Sequence, residues 1–400
     1  MNGCFDLLIE SILGEALMTQ DLGFSKGLAG VVADTTSVSQ VQGDEGRLIY
    51  RGVSIEEMAE KSNFEECTYF MLTGKLPTAH ELKAFDTELK AHRTLPKYAE
   101  AAIDAAPRSA HPMQVLQSVV STLAYEEPQA DLKNVKQNLA TSTRLISQLA
   151  TAVAYISRDR RGLPRITPRN DLSHAENFLY CLLGEKPNKE VARMFDVALM
   201  LHVDHDFNAS TFAGRVVGST EAKICSSVSA AIGALSGPLH GGANEKVLQM
   251  ADSIGSASKA KAWVLNAIAT KAKVMGFGHR VYRTMDPRAK VLRSMLEKLV
   301  AQSHERDTYE TLLTVHDTMI EELSKKEKDY IWPNVDFWSG SLYRLMNIES
   351  VDFTPIFAVA RVVGWCSHLL EMWTDNRIYR PAAKYVGSPT AAIQDIRSRS

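Results

Sequence analysis

The chain has 400 residues, a formal net charge of −2, 45% hydrophobic and 23% charged residues, so it can bury a sizeable core as two compact units or as one large helical body. This charge balance provides no general electrostatic field for nucleic acid or a membrane, and no apolar run approaches the roughly 18 residues that span a bilayer. Five widely spaced cysteines without a Cys-x-x-Cys pair argue against a zinc ribbon or a disulfide framework and indicate a reducing compartment.

The N-terminal segment 1–20 is predicted to be an extension outside the domains. Its apolar stretch, residues 5–13, is interrupted by acidic residues, and no Lys or Arg precedes it. Secretory and mitochondrial presequences need the opposite charge. The segment is therefore interpreted as an extra helical turn, or as the result of an upstream start codon with Met18 as the true first residue.

The predicted fold is mostly α. Strand-like alternation is confined to residues 29–51 and predicts one small β-hairpin, while apolar residues recur at helical spacing elsewhere, as in residues 191–201. Thr354 and Pro355 predict the start of a further helix, with Thr354 as its N-cap and Pro355 at its first position. Breaks rich in Gly, Pro or charge, the last two of them candidate hinges, fall near 158–170, 236–243 and 324–334.

His202 and His205 look at first like metal ligands. Their spacing places both near one helical face, but no third soft ligand is nearby and His205 continues the apolar face of the preceding helix. We expect a buried, hydrogen-bonded histidine here. A metal-dependent hydrolase that uses these histidines with Asp204 is the alternative.

Residues 237–244 place His240 in a tight turn. Proline and glycines leave little side-chain bulk around the imidazole, which suits a group that touches a ligand. The alternative is a turn between helices whose histidine faces water.

Residues 276–288 combine a glycine-rich turn, His279 and three arginines. From Lys271 to Arg293 the chain has seven basic residues and one acidic residue, and this local excess predicts a site for a polyanionic small molecule. The glycines let the backbone approach a ligand, and the histidine exchanges a proton near neutral pH. A solvated helix start with a basic face is the alternative.

Asp336 is a carboxylate within the aromatic stretch 332–340. Burial there would raise its pKa and strengthen it as a base. An Asx-turn or a helix cap is the commoner use of Asp beside Pro and Asn, and is the alternative.

Arg361 lies in a helix that is apolar nearly all round. A buried guanidinium keeps its charge and needs a partner, so either Glu371 or another side chain reaches it, or it waits for a ligand carboxylate. Arg380 precedes a proline, which predicts extended backbone. Alone, Arg380 is typical of a surface arginine.

Taken in order, these segments resemble the citrate synthase family. The likeness starts near Lys26, ends near Gly387, and includes Asp-His-Asp-Phe-Asn-Ala-Ser (204–210), Gly-Pro-Leu-His-Gly-Gly-Ala-Asn (237–244), Gly-Phe-Gly-His-Arg-Val (276–281) and Pro-Asn-Val-Asp (333–336). The resemblance implies an all-α homodimer with the active site in a cleft between two domains, the large one formed by residues 21–241 and 348–400 and the small one by residues 242–347. The added N-terminal β-domain of long, NADH-regulated members has no counterpart here, so that inhibition is not expected.

By this resemblance, three residues carry the chemistry. Asp336 is the base that removes a proton from the methyl carbon of acetyl-CoA, and His240 holds the thioester oxygen as that carbon becomes nucleophilic. His279 polarises the ketone of oxaloacetate. A carboxylate is too weak a base for such a carbon acid unless the charge on oxygen is stabilised. Hydrolysis of the thioester would then release citrate and CoA.

The resemblance also implies the substrate contacts. Oxaloacetate would be held by His205, Arg288, Arg361 and, from the other subunit, Arg380. The adenine of CoA would meet the backbone of Lys273, Val274, Met275, Gly276 and Phe277, and a phosphate of CoA would meet Arg283. No metal or tightly bound cofactor is implied, and the protein is expected to be cytoplasmic.

Other functions stay open beside this one. A 2-methylcitrate synthase performs the same chemistry with propionyl-CoA, and one extra methylene shifts binding by only ~1–3 kcal/mol. A non-catalytic helical oligomer would keep the fold as a binding scaffold. Against it, His240, His279 and Asp336 are all present.

Overall fold

The computed structural model describes residues 25–278, 281–301, 306–328, 330–388, 390 and 392–399. The chain divides into two compact units, Met1–Thr36 and Ser37–Ser400. In the first, the described residues contain one short 3-10 turn, Lys26–Leu28. The predicted extension 1–20, with Met18, lies outside the described residues.

The second unit opens with a small antiparallel sheet. Its strands are β1 (Ser39–Gln42), β2 (Arg47–Tyr50) and β3 (Val53–Ser54), in the order β1-β2-β3. The predicted hairpin is confirmed, but pairing begins at Ser39 rather than near residue 29. Val31 and Val32 are exposed.

Sixteen α-helices lie in the described residues and confirm the all-α prediction. They are α1 (Ile55–Lys61), α2 (Phe64–Thr73), α3 (Ala79–Ala91), α4 (Lys97–Asp104), α5 (Pro112–Leu123), α6 (Val135–Arg160), α7 (His174–Leu183), α8 (Lys189–His202), α9 (Ala209–Gly218), α10 (Ile224–Leu235), α11 (Ala243–Ile254), α12 (Ala257–Ala269), α13 (Pro287–Ala301), α14 (Asp307–Ser324), α15 (Val335–Leu345) and α16 (Phe353–Met372).

Local sequence explains many of the helix ends. Ser173 and Glu176 form a reciprocal capping box at the start of α7, and Gly184 ends that helix in a left-handed conformation. The predicted start of α16 was wrong by two residues, since the N-cap is Asp352 rather than Thr354. The helix begins at Phe353, and Pro355 is tolerated in the first turn because the N–H groups there have no intrahelical acceptor.

Helices α6 and α16 form the centre of the core. α16 packs against α2, α6, α8, α9 and α10. By length and composition the segment Ser350–Asp375 could cross a membrane, so the expectation that no apolar run approaches that length was wrong. However, 94% of its most apolar window is buried inside the protein, which is typical of a core helix.

Helices α11 to α15 pack mainly on one another. α12 packs against α14, α13 against α15, and α11 against both α14 and α15. They meet the other helices through α11 on α16 and through α13 on α1 and α8. The boundaries of a large and a small domain at residues 241 and 348 stay a prediction.

Candidate active site

The loop after α8 is held by a buried carboxylate. Asp204 is fully buried, and its Oδ2 accepts a hydrogen bond from Ser39 Oγ and lies 3.0 Å from His368 Nε2. The Tyr50 hydroxyl lies 3.1 Å from both the backbone N and the backbone O of Asp204. Burial alone would raise the pKa of Asp204, but His368 and Arg361 outweigh it and hold that pKa below its usual value. The loop therefore has a charged, fixed anchor.

His240 has a defined tautomer. The backbone N–H of Ser210 donates to His240 Nε2 over 3.2 Å, and because an N–H can only donate, Nε2 carries a lone pair and Nδ1 carries the proton. Burial, and then the charge of Arg361, lower the pKa of His240 to about 4. At neutral pH, His240 is therefore an uncharged hydrogen-bond donor through Nδ1.

The turn that carries His240 is as tight as the sequence predicts. Gly241 N–H donates to Leu235 O over 3.0 Å, and a Cβ at Gly241 would lie 2.4 Å from that same oxygen. Only glycine fits there. The imidazole of His240 is half-buried and bonded to Ser210, whereas the side chain of Leu239 beside it is fully exposed.

Ser210 is itself oriented by two residues. Trp365 Nε1–H donates to Ser210 Oγ over 3.1 Å, and that hydroxyl lies 2.8 Å from Asn208 Oδ1. Asn208 is also the N-cap of α9. Sequence reasoning missed both Ser210 and Trp365, because the two lie 155 residues apart and no local pattern connects them.

Asp336 lies in the first turn of α15. Asn334 is the N-cap of that helix and accepts the Asp336 N–H over 3.0 Å, so the capping role belongs to Asn334 and the Asp336 carboxylate stays available. Burial raises the pKa of Asp336 to about 6, although Arg288 and Arg361 oppose it. The side chain keeps partial access to solvent. Asp336 is therefore a stronger base than an ordinary carboxylate.

The glycine-rich turn is tied to the start of α15. Gly278 N–H donates to Trp332 O over 2.9 Å, and Asn334 N–H donates to Gly276 O over 2.9 Å. Gly276 has φ +79°, which favours glycine. His279 follows this turn directly but lies outside the described residues, so its predicted role is neither supported nor contradicted by the geometry.

Arg288 is buried in a bidentate ion pair. Its Nε lies 3.0 Å from Asp286 Oδ1 and its Nη2 lies 2.8 Å from Asp286 Oδ2. Burial alone would lower the pKa of Arg288, but Asp286 reverses the direction and the pKa is raised. Asp286 also accepts the N–H of Val335 over 3.2 Å. Sequence reasoning missed Asp286, which orients Arg288 and joins α13 to α15.

Arg361 is almost completely buried, with 1% of its surface exposed. Its Nε donates to His202 O over 2.7 Å, and its guanidinium carbon lies 4.6 Å from the centre of the Phe357 ring. Within the described part of the chain neither terminal nitrogen has a protein hydrogen-bond partner. Glu371, one predicted partner, instead accepts hydrogen bonds from Ser37. Burial lowers the pKa of Arg361 to about 10, so it remains charged.

These groups lie within electrostatic reach of one another. Arg361 lowers the pKa of both His240 and Asp336, and Arg288 lowers that of Asp336. Such effects need short separations, because solvent screens distant charges. The turn after α10 and helices α13, α15 and α16 thus bring together a neutral donor, a basic carboxylate and two cations. This set suits an anionic substrate and the removal of a proton.

Comparison with known proteins decides the family. The family model described as "Citrate synthase, C-terminal domain" matches residues 27–382. The chain belongs to the citrate synthase family. The citrate synthase of Deinococcus radiodurans is 44% identical over 375 residues, which cover 94% of this chain and 99% of that relative. A 2-methylcitrate synthase of Mycobacterium tuberculosis is 40% identical over 362 residues, 90% of each chain.

A solved structure from the citrate synthase family has the same fold. It is a ternary complex of carboxymethyl coenzyme A and oxaloacetate with the citrate synthase of Thermoplasma acidophilum. It superimposes with a TM-score of 0.89 at 32% identity and covers 94% of this chain and 99% of that one. The resemblance stated from the motifs is thereby confirmed.

The remaining residues expected from the citrate synthase family differ in exposure. Lys273, Arg283 and Arg380 are exposed, Val274 and Gly276 are buried, and His205, Met275 and Phe277 are half-buried. The ring of His205 lies 5.5 Å from that of Tyr282, and the ring of Phe277 lies 5.1 Å from that of Phe337. Contacts of all these residues with substrate stay predictions.

His202 is buried and hydrogen-bonded. Its Nδ1 lies 2.7 Å from Ala198 O, and burial lowers its pKa to about 3. Among the described residues, no group of three or more His, Cys, Asp or Glu is placed to hold a metal ion. That the reaction needs no metal stays a prediction.

Proposed function

We propose that this chain condenses acetyl-CoA with oxaloacetate and hydrolyses the thioester intermediate to citrate and CoA. The observation that carries the proposal is a neutral Nδ1–H donor, His240, in the same cluster as Asp336, a carboxylate of raised pKa. Membership of the citrate synthase family supports an acyl-transferring condensation as the reaction class.

The first step is removal of a proton from the methyl carbon. Asp336 accepts that proton, the C–H electron pair forms the carbon–carbon double bond, and the carbonyl π electrons move to the thioester oxygen. His240 Nδ1–H donates to that oxygen. With a pKa of about 6, Asp336 is still roughly 90% ionised at pH 7. Losing one such oxygen-stabilising donor typically costs on the order of 10²–10³ in rate.

The second step forms the carbon–carbon bond. The nucleophilic carbon attacks the ketone carbon of oxaloacetate, and the ketone oxygen takes up a proton as the electron pair moves onto it. By family resemblance His279 supplies that proton. Water then attacks the thioester, so that the carbon–sulfur bond breaks and CoA leaves as the thiol.

Oxaloacetate carries two carboxylates, and the cluster offers cations to both. Arg361 has terminal nitrogens without a protein partner in the described residues, and Arg288 is held rigidly by Asp286. Bidentate guanidinium–carboxylate pairs fix which face of the ketone is presented. We assign the third cation to Arg380 of the other subunit and a further contact to His205.

The rest of the proposal follows family resemblance. The protein acts as a cytoplasmic homodimer in the tricarboxylic acid cycle, and its backbone at residues 273–277 contacts the adenine of CoA. Arg283, exposed on the same basic segment, contacts a phosphate. The acyl-CoA is a co-substrate, and no tightly bound cofactor or metal takes part.

A second candidate function is condensation of propionyl-CoA to 2-methylcitrate. It is favoured by the 40% identity to a 2-methylcitrate synthase, close to the 44% identity to a citrate synthase. The test is CoA release from acetyl-CoA and from propionyl-CoA at saturating oxaloacetate. We expect a higher kcat/KM with acetyl-CoA. A propionyl preference would assign the second function, and no CoA release from either thioester would refute both.

A further inference from the structure

Arg215 is a buried arginine that the catalytic steps do not use. It lies on α9 with 1% of its surface exposed. Its Nε and Nη2 both donate to the hydroxyl of Tyr379, over 3.1 and 2.9 Å, and its Nη1 donates to His368 O over 3.1 Å. Its Nη1 also lies 3.9 Å from Glu371 Oε2. Two hydrogen bonds from one buried guanidinium restrain the position of the Tyr379 hydroxyl.

The same arginine is packed against the substrate loop. Its guanidinium carbon lies 4.4 Å from the centre of the Phe207 ring. Phe207 lies in the loop that carries His205, two residues before the start of α9. A desolvated cation over an aromatic face is attracted to that ring, and this contact holds Arg215 in place.

Tyr379 is the last residue of the C-terminal segment that the body of the protein holds. Its backbone N–H donates to Ser219 Oγ over 3.1 Å, and Asn376 Nδ2 donates to Ser219 O over 3.0 Å. Residues 380–388 are exposed throughout. Among the described residues, no hydrogen bond links them to the helices.

Arg380 is therefore the first residue of an exposed arm, residues 380–388. Pro381 restricts Arg380 to extended backbone, and successive side chains of an extended chain point in opposite directions. With the Tyr379 side chain drawn inward to Arg215, the Arg380 side chain points outward.

We propose that Arg215 and Tyr379 are positioning residues that aim Arg380 at the active site of the partner subunit. This inference rests on the proposed function, in which Arg380 binds the oxaloacetate of the other subunit. Tyr379→Phe keeps the ring and deletes the acceptor of two charged hydrogen bonds.

The test uses mixed dimers, purified through a different affinity tag on each chain. In the first, one chain carries both Asp336→Ala and Tyr379→Phe, so the only working site belongs to the unchanged chain and receives Arg380 from the altered one. In the second, the two substitutions lie on different chains, so the working site receives Arg380 from a chain with intact Tyr379. The oxaloacetate KM and the kcat are measured for both.

In the first mixed dimer we expect the oxaloacetate KM to rise by about tenfold, which corresponds to the loss of one charged hydrogen bond. In the second mixed dimer we expect the KM to stay within twofold of that of the unsubstituted site. Tyr385→Phe, in the exposed part of the same arm, replaces Tyr379→Phe in a matched control and should leave both dimers unchanged. Equal KM values in the two mixed dimers, or a defect only in the second, overturn the inference.

Arg380→Ala in the same two arrangements separates this inference from the proposed function. If Arg380→Ala raises KM only in the first arrangement and Tyr379→Phe does not, the shared site stands and the positioning role is wrong. If Arg380→Ala acts within its own chain, the partner's contribution in the proposed function is wrong. Sedimentation of each variant checks that it is still dimeric.

Discussion

The turn between β1 and β2 offers a sharp test of how the basic segment is held. Gly43 O accepts the N–H of Arg283 over 3.0 Å, and a Cβ at Gly43 would lie only 2.3 Å from Val281 O. Gly43 has no positive φ, so alanine is compatible with its backbone and Gly43→Ala acts through the contact alone. The contact is with backbone, and a side-chain rotation cannot relieve it.

The size of the effect follows from the distance. Ordinary carbon contacts begin near 3.4–3.5 Å, so the segment at Val281 must move away from the turn by about 1 Å. That segment begins two residues after His279 and includes Arg283. A misplacement of about 1 Å costs roughly 10²-fold in rate when it reaches reacting groups. We therefore expect kcat/KM for acetyl-CoA to fall by about 10²-fold in Gly43→Ala.

The assay is CoA release at saturating oxaloacetate, with thermal unfolding of the same sample. Asp44→Ala is the matched control, because Asp44 lies in the same turn and is exposed. We expect the control to keep kcat/KM within twofold. A Gly43→Ala protein with kcat/KM within threefold of the parent would refute the reasoning, and so would an equal loss in the control. A loss of activity that merely follows a collapse of the unfolding midpoint would count against it too.

Three further outcomes are expected. Asp336→Ala should abolish condensation while calorimetric titration with CoA stays largely unchanged, and near-normal turnover would show that Asp336 is not the base. Protonation removes the base, and the pKa of Asp336 is about 6, so kcat/KM should be level above pH 7 and fall about tenfold per pH unit below pH 6. Protonation of His240 should add a further loss only near pH 4. A profile that is flat down to pH 4.5 would contradict the assignment of Asp336 as the base. Arg361→Leu should raise the oxaloacetate KM by about 10²-fold, because a buried guanidinium–carboxylate contact is lost, and an unchanged KM in steady-state assays would place the substrate elsewhere.

Much of the fold and of the site could be predicted because the signals are local. The apolar period of residues 191–201 gave α8, since a helix packed on a core needs one apolar face. The turn at His240 was predictable because glycine and proline restrict the backbone whatever lies around them. The role of Asp336 was ambiguous, because a local pattern fits both a capping Asp and a buried base. The capping alternative assigned that role to Asp336 and was wrong, because Asn334 is the N-cap of α15.

The errors have physical causes as well. The alternation at residues 29–38 has the strand period, but a strand also needs ladder pairing, which begins at Ser39. Thr354 carried the N-cap signature, but the 3-10 turn Ser350–Asp352 leads straight into the helix and moves its start to Phe353. The apolar length of α16 was underestimated because Arg361 and Glu371 break the run.

The sequence by itself determined the kinds of elements and the kinds of chemistry. Side-chain period, capping residues and glycine positions act over a few residues, and the order of the motifs identified the family. The tertiary structure decided the protonation states and the partners. Ser210 sets the tautomer of His240 from 30 residues away, and Asp286 holds Arg288 and the start of α15 together. Burial raises the pKa of Asp336 and lowers that of Arg361, which still stays charged among apolar helices. Only the tertiary structure decides these shifts, because desolvation depends on everything packed around a group.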